Sequence, residues 1–142
     1  EPQWYARLGI TDSLAGRFDA VTMVLALVLI RMETSAALRA PMARLTELFV
    51  SDMDGQLRQE GVGDLVVGKR MGKLMSALGG RIEAYRSGLA AEDPAVLVQA
   101  IERNVTLVEG SEPAPMADAI RTLSARLGAT SDAELLAGRI AP

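Results

Sequence analysis

Three groups of residues in this 142-residue chain have types and spacings that could do chemistry. Gly63-Asp64-Leu65-Val66-Val67-Gly68-Lys69 reproduces the first seven positions of a loop that cradles phosphates on backbone N–H groups. Its eighth position is Arg70, where Ser or Thr would hold magnesium, and Asp64 would set a carboxylate against the phosphates. A helical pattern precedes it instead of a strand, so the stretch reads as a junction between two helices. Asp52-Met53-Asp54-Gly55 resembles the start of a calcium loop, but such a loop needs Gly at position six and Glu at twelve, and Gly55 stands at four. On a helical wheel Asp54 faces outward with Arg58, whereas Asp52 falls between Leu45 and Leu48 on the apolar arc. Asp52 is therefore expected to be a buried structural carboxylate paired with a base on a neighbouring helix. The third group is a cationic face of Lys69, Arg70 and Lys73 flanked by Arg81. It reads first as solvated surface, and it also suits an acidic partner or anionic lipid heads.

What the composition lacks is equally informative. With no His and no Cys, the usual zinc sites, Ser-His-Asp and Cys-His catalysis, disulfides and iron–sulfur ligation are unavailable. No metal or cofactor is expected. The net charge of −3 argues against a general nucleic-acid binder. The longest apolar run, residues 20–30, falls well short of the roughly 20 residues that span a bilayer. The chain opens on Glu1, so the expectation is a trimmed chain with any targeting segment upstream.

The elements that must position these groups all read as helices. Apolar side chains surround residues 18–32, which marks a central buried helix. Met42, Leu45, Leu48, Phe49, Met53 and Leu57 define an inward face over 41–60, which Gly61 and Gly63 end. Asp64 is the expected cap of a long third helix to about residue 89, with Met71, Leu74, Met75, Leu78, Ile82 and Tyr85 at three–four spacing. Gly68, Gly72 and Gly79, with Ser76, line one narrow ridge on it, which suggests close approach by another backbone or a ligand. Further helices start near Asp93-Pro94, Met116 and Ser131, the last with a Ser131/Glu134 capping pattern. The expected architecture is all-α, one compact domain of about six helices over 1–142, with residues 91–142 as a helical C-terminal extension, looser than the rest.

Gly9-Ile10-Thr11-Asp12-Ser13 followed by Gly16-Arg17-Phe18-Asp19 resembles the opening of the ubiquinol–cytochrome c chaperone family. Residues 49–69, with Asp52-Met53-Asp54, Leu57-Arg58, Gly61-Val62-Gly63-Asp64-Leu65 and Lys69, resemble its central motif. Gly80-Arg81 and Ala84-Tyr85 resemble its later one. The similarity covers about residues 4–90. Departures are Thr11 in place of Pro, Met23-Val24 in place of a Leu-His pair, and Gly79 in place of an aromatic residue. The resemblance implies a non-enzymatic factor that binds cytochrome b or another subunit and helps build the cytochrome bc1 complex. Membrane surface or lipid and a small helical protein are further expected partners. It also implies a cytoplasmic location peripheral to the inner membrane of a bacterium, or the matrix side in a eukaryote. The expected contact residues are Asp54, Arg58, Gly68, Lys69, Arg70, Gly72, Lys73 and Arg81; Arg17, Asp19, Asp52 and Asp64 are the structural part of the signature. A module for lipid or another amphipathic small molecule at the membrane surface is the competing reading.

Overall fold

In the computed structural model, which describes residues 2–59, 61 and 63–142, the chain begins with one helical turn, α1 (Pro2–Ala6). The sequence pattern did not mark this turn, yet its Trp4 is buried. Ser13 then caps α2 (Leu14–Met32), its hydroxyl accepting the Gly16 N–H at 3.1 Å. Only glycine fits at 16, because a Cβ there would lie 1.8 Å from the Thr11 carbonyl oxygen. A short 3-10 turn (Ala36–Leu38) leads into α3 (Arg39–Gln59), which α4 (Asp64–Ala90) follows. Gly63, in extended backbone, is the cap residue of α4; Asp64 is its first helical residue and does not cap it as expected. The chain closes with α5 (Ala95–Asn104), α6 (Ala114–Ala129) and α7 (Asp132–Leu136), the last opened by the expected Ser131/Glu134 capping box. Among the described residues no strand forms, and an isolated antiparallel bridge joins Ile10 to Leu107. The all-α expectation holds. Among the described residues no helix is long and apolar enough to cross a membrane.

As its composition predicts, α2 is central, with Met23, Ala26 and Leu27 on one side and Leu25, Leu29 and Met32 on another, all buried. The first group packs with Tyr85 of α4, Leu97 and Ile101 of α5, and Met116, Ile120 and Leu127 of α6. The second packs with Leu38, Phe49 of α3 and Leu78 of α4. The residues after 91 are therefore no loose appendage. They supply much of the larger core, and two polar clasps tie them to the N-terminal part. Thr11 N–H donates to the Thr106 carbonyl at 2.9 Å, and Val108 N–H to the Gly9 carbonyl at 2.8 Å. Arg31 donates to the Leu127 and Thr130 carbonyls at 3.0 and 2.8 Å, capping the end of α6, and pairs with Asp132 at 2.7 Å. Asp132 also accepts the Ser35 hydroxyl at 2.6 Å, and these two partners hold its carboxyl below the usual range.

Candidate functional site

Beyond the reach of α5 and α6, the first turns of α2, the end of α3 and the first half of α4 line an open groove of about 720 Å³. From α2 come Leu14, Ala15, Arg17, Phe18 and Val21; from α3, Met53 and Gln56; from α4, Arg70, Lys73, Leu74 and Ala77. The α2 and α4 residues recur at helical spacing, so each helix presents about two turns of stripe to the same space. Leu14 is 74% and Val21 52% exposed, unusual for large apolar side chains grouped on one surface. Every charged residue in the lining is a cation. Arg17 pairs with Asp12 at 2.8 Å, while Lys69, Arg70 and Lys73 have no carboxylate partner among the described residues.

The sequence motifs meet this geometry unevenly. Arg70 and Lys73 line the groove; Lys69 is exposed beside them. Gly68 and Gly72 are exposed as well, with nothing within 4 Å of a Cβ built on either. The same is true of Gly79, so the ridge faces open space and receives no backbone from the described residues. The glycine of α4 that another backbone does approach is Gly88, where a Cβ would lie 2.8 Å from Leu97 Cα. The phosphate-loop spacing of 63–69 is mostly helix, since α4 starts at Asp64, and Asp52-Met53-Asp54-Gly55 lies inside α3.

Two assignments need correction. Arg81 does not flank the cationic face. Its side chain is 13% exposed and pairs with the Asp19 carboxylate at 2.7 Å, and its guanidinium lies 5.2 Å from the Phe18 ring centroid. Asp19 also accepts the Thr106 backbone N–H at 2.8 Å and the Thr106 hydroxyl at 2.6 Å. Among the described residues the buried carboxylate is thus Asp19, where Asp52 was expected, with a partner 87 residues away that no local pattern announces. Asp52, by contrast, is exposed and unpaired among the described residues. The covered arc of α3 centres on Phe49, with Met42, Leu45 and Met53 partly buried around it, and Leu48 is 62% exposed. Asp52 falls just outside that narrow arc. Asp54 and Arg58 lie on the surface as expected, and they pair with each other at 2.9 Å. Arg58 also reaches Asp64 across the turn between α3 and α4, and the two carboxylates raise its pKa, Asp54 more than Asp64.

Beneath the groove, the Arg81–Asp19 pair leaves two orphans. Arg81 Nη1 and the Tyr85 hydroxyl are both buried without a hydrogen-bond partner among the described residues. Burial pushes the Tyr85 hydroxyl up to about 12, opposed by Arg81 and reinforced by Asp19. Sequence reasoning assigned Phe18, Val21, Met53 and Leu74 to the core and did not single out Leu14. The available signal was the excess of apolar faces on α2, more than two neighbours could cover.

Comparison with known proteins matches this arrangement to one group. No curated protein sequence matches the chain. The crystal structure of the Cbp3 homolog from Brucella abortus has a TM-score of 0.85 and 31% sequence identity to it, over 99% of this chain and 80% of that one. The ubiquinol–cytochrome C chaperone family pattern matches residues 6–141, extending through α5 and α6 well past the motifs that end near residue 90. The chain belongs to the ubiquinol–cytochrome c chaperone family.

Proposed function

We propose that this protein is a non-catalytic chaperone in cytochrome bc1 assembly that holds cytochrome b before it joins the complex. The observation that carries this reading is the solvent-open apolar groove of α2, α3 and α4, in a chain whose family is one of chaperones. A client about to enter a membrane protein complex exposes apolar helices, and an uncovered apolar surface with a polar rim is the physical counterpart such a segment needs. Arg70 and Lys73 line that surface and Lys69 lies beside them, with the Asp54–Arg58 pair on the adjoining α3, and these are the contact residues we assign; Gly68 and Gly72 stand on the opposite face of α4, where a second contact would have to lie. Arg17 lines it, and the buried Asp19–Arg81 pair supports Phe18 of the lining from below. The working place that follows is the cytoplasmic face of the inner membrane, reached without a spanning helix in the described residues.

Affinity capture with the tagged chain from detergent-solubilised native membranes, followed by mass spectrometry, tests this. Cytochrome b should be enriched over the other membrane proteins. Capture of every bc1 subunit at background level would overturn the proposal.

A further inference from the structure

The groove also constrains the chemistry of what fills it. Arg70, Lys73, Leu74 and Ala77 of α4 stand at i, i+3, i+4 and i+7, and Leu14, Arg17, Phe18 and Val21 of α2 repeat the same spacing. Seven residues of helix rise about 10 Å, so the two stripes are matched in length. This is the pattern by which one helix receives another, apolar ridge against apolar ridge, with long cationic side chains at the edges. The lining carries three cations and no acid, and Arg70 and Lys73 lack carboxylate partners among the described residues. We infer that the groove takes an amphipathic helix of about two to three turns with an apolar stripe and Asp or Glu along one edge, facing Arg70 and Lys73.

An acyl chain fits less well. The groove is open, and with Leu14 74% and Val21 52% exposed a single hydrocarbon chain lying there would stay half in water. A helix brings its own breadth and covers both stripes at once. Its backbone polar groups are satisfied internally, so the apolar lining demands no hydrogen bonds from it. The inference rests on the client-binding reading above and adds the sign and form of the segment that binds.

The test is fluorescence anisotropy with the intact chain and labelled helical peptides of about 14 residues, each with leucines at i, i+3, i+4 and i+7. One carries Glu beside the stripe, a second carries Lys there, and a third has the Glu peptide's residues scrambled. The Glu peptide should bind at least about tenfold more tightly than the other two, a difference of about 1.4 kcal/mol. Val21→Glu should weaken it by about tenfold or more while circular dichroism shows the fold intact, since Val21 is already half in water. Arg70→Glu/Lys73→Glu should reverse the preference towards the Lys peptide. Equal binding of the Glu and Lys peptides overturns the inference. If no peptide binds while membrane capture of cytochrome b persists, the inference falls and the chaperone reading stands. Selective Glu-peptide binding without any capture of a bc1 subunit leaves the groove's specificity in place and removes the proposed client. Two further results overturn the inference in favour of another occupant. One is displacement of the Glu peptide by vesicles of phosphatidylcholine and phosphatidylglycerol in a Val21-dependent way. The other is a concentration-dependent dimer that Val21→Glu dissolves and that excludes the peptide.

Discussion

The two halves of α4 use one sequence pattern and reach opposite ends. From Leu78 onward the helix lies between α2 and α5, Leu78 and Tyr85 are buried, and Gly88 lets Leu97 approach. Before Leu78 only Val67 is buried, Leu65 is 90% exposed, and Gly68 and Gly72 face empty space. The apolar period does not change between the halves. The number of neighbours does: α5 and α6 complete the core around the second half, and nothing in the described chain does so for the first. The contrast leaves one end of α4 inside the core and the other uncovered among the described residues, and the uncovered end is where the proposed client segment would lie.

The largest effect should come from the pair that anchors the closed half. Asp19→Ala leaves the Arg81 guanidinium buried without its carboxylate and strips the Thr106 N–H and hydroxyl of their acceptor. Removing one member of a buried, hydrogen-bonded charge pair costs about 3–5 kcal/mol. Lys73→Ala, on the open half, should stay within about 0.5 kcal/mol of the parent. Urea unfolding of both variants checks the difference, and equal midpoints would erase the distinction between the halves.

Tyr85 gives a pH-dependent version of the same test. In the unfolded chain its hydroxyl ionises near pH 10, whereas burial holds the proton on to about 12 in the native state. The folded state thus binds more protons between these values, so stability is whole below pH 10 and falls as the pH rises towards 12. Compared with Tyr85→Phe, the parent should lose about 2–3 kcal/mol across that window. At neutral pH the Phe variant should be equal or slightly more stable, because the buried hydroxyl it removes has no partner among the described residues. A parent and variant with parallel stability curves up to pH 12 would show that Tyr85 is not sealed.

Glycines sharpen the contrast by sign. Gly88→Ala puts a Cβ 2.8 Å from Leu97 Cα and should destabilise by about 1–3 kcal/mol. Gly72→Ala meets nothing and should stabilise by about 0.5–1 kcal/mol through helix propensity alone. Thermal melts in which both substitutions shift the midpoint the same way would refute the assignment of open and closed halves.

Much of this was legible in the sequence. The all-round apolar character of α2, the Gly61–Gly63 break and the Ser131/Glu134 box lie in local composition and spacing, which set helix limits directly. Spacing puts Gly68, Gly72 and Gly79 of α4 on a single ridge, because it reports which face a residue shares, and says nothing of what stands opposite. Only the folded chain shows that this ridge faces solvent and that Gly88, outside it, lies against Leu97. Arg81 was grouped with Lys69 and Lys73 for the same reason. Its partner Asp19 is 62 residues away, and a long-range pair leaves no local periodicity. The groove escaped notice because an apolar stripe has the same spacing whether or not its cover belongs to the chain.

The smallest effects belong to the two aspartates of the central motif, and their value lies in separating a wheel from a structure. A carboxylate buried on the arc between Leu45 and Leu48 would cost several kcal/mol on removal, the size of effect expected for Asp19. Asp52 is instead exposed with no partner among the described residues, so Asp52→Ala should change stability by no more than about 0.5 kcal/mol. Asp54 pairs with Arg58 four residues on, at the partly exposed surface of α3, and Arg58 also reaches Asp64. Asp54→Ala should therefore cost slightly more, about 0.3–1 kcal/mol, and less as salt is raised. The order of the two variants is the informative result. Asp52→Ala destabilising by more than Asp54→Ala would restore Asp52 to the covered arc of α3 and turn that helix relative to α4. The Met53 and Gln56 wall of the groove would turn with it, so this small difference, read in low salt where it is largest, also checks the site.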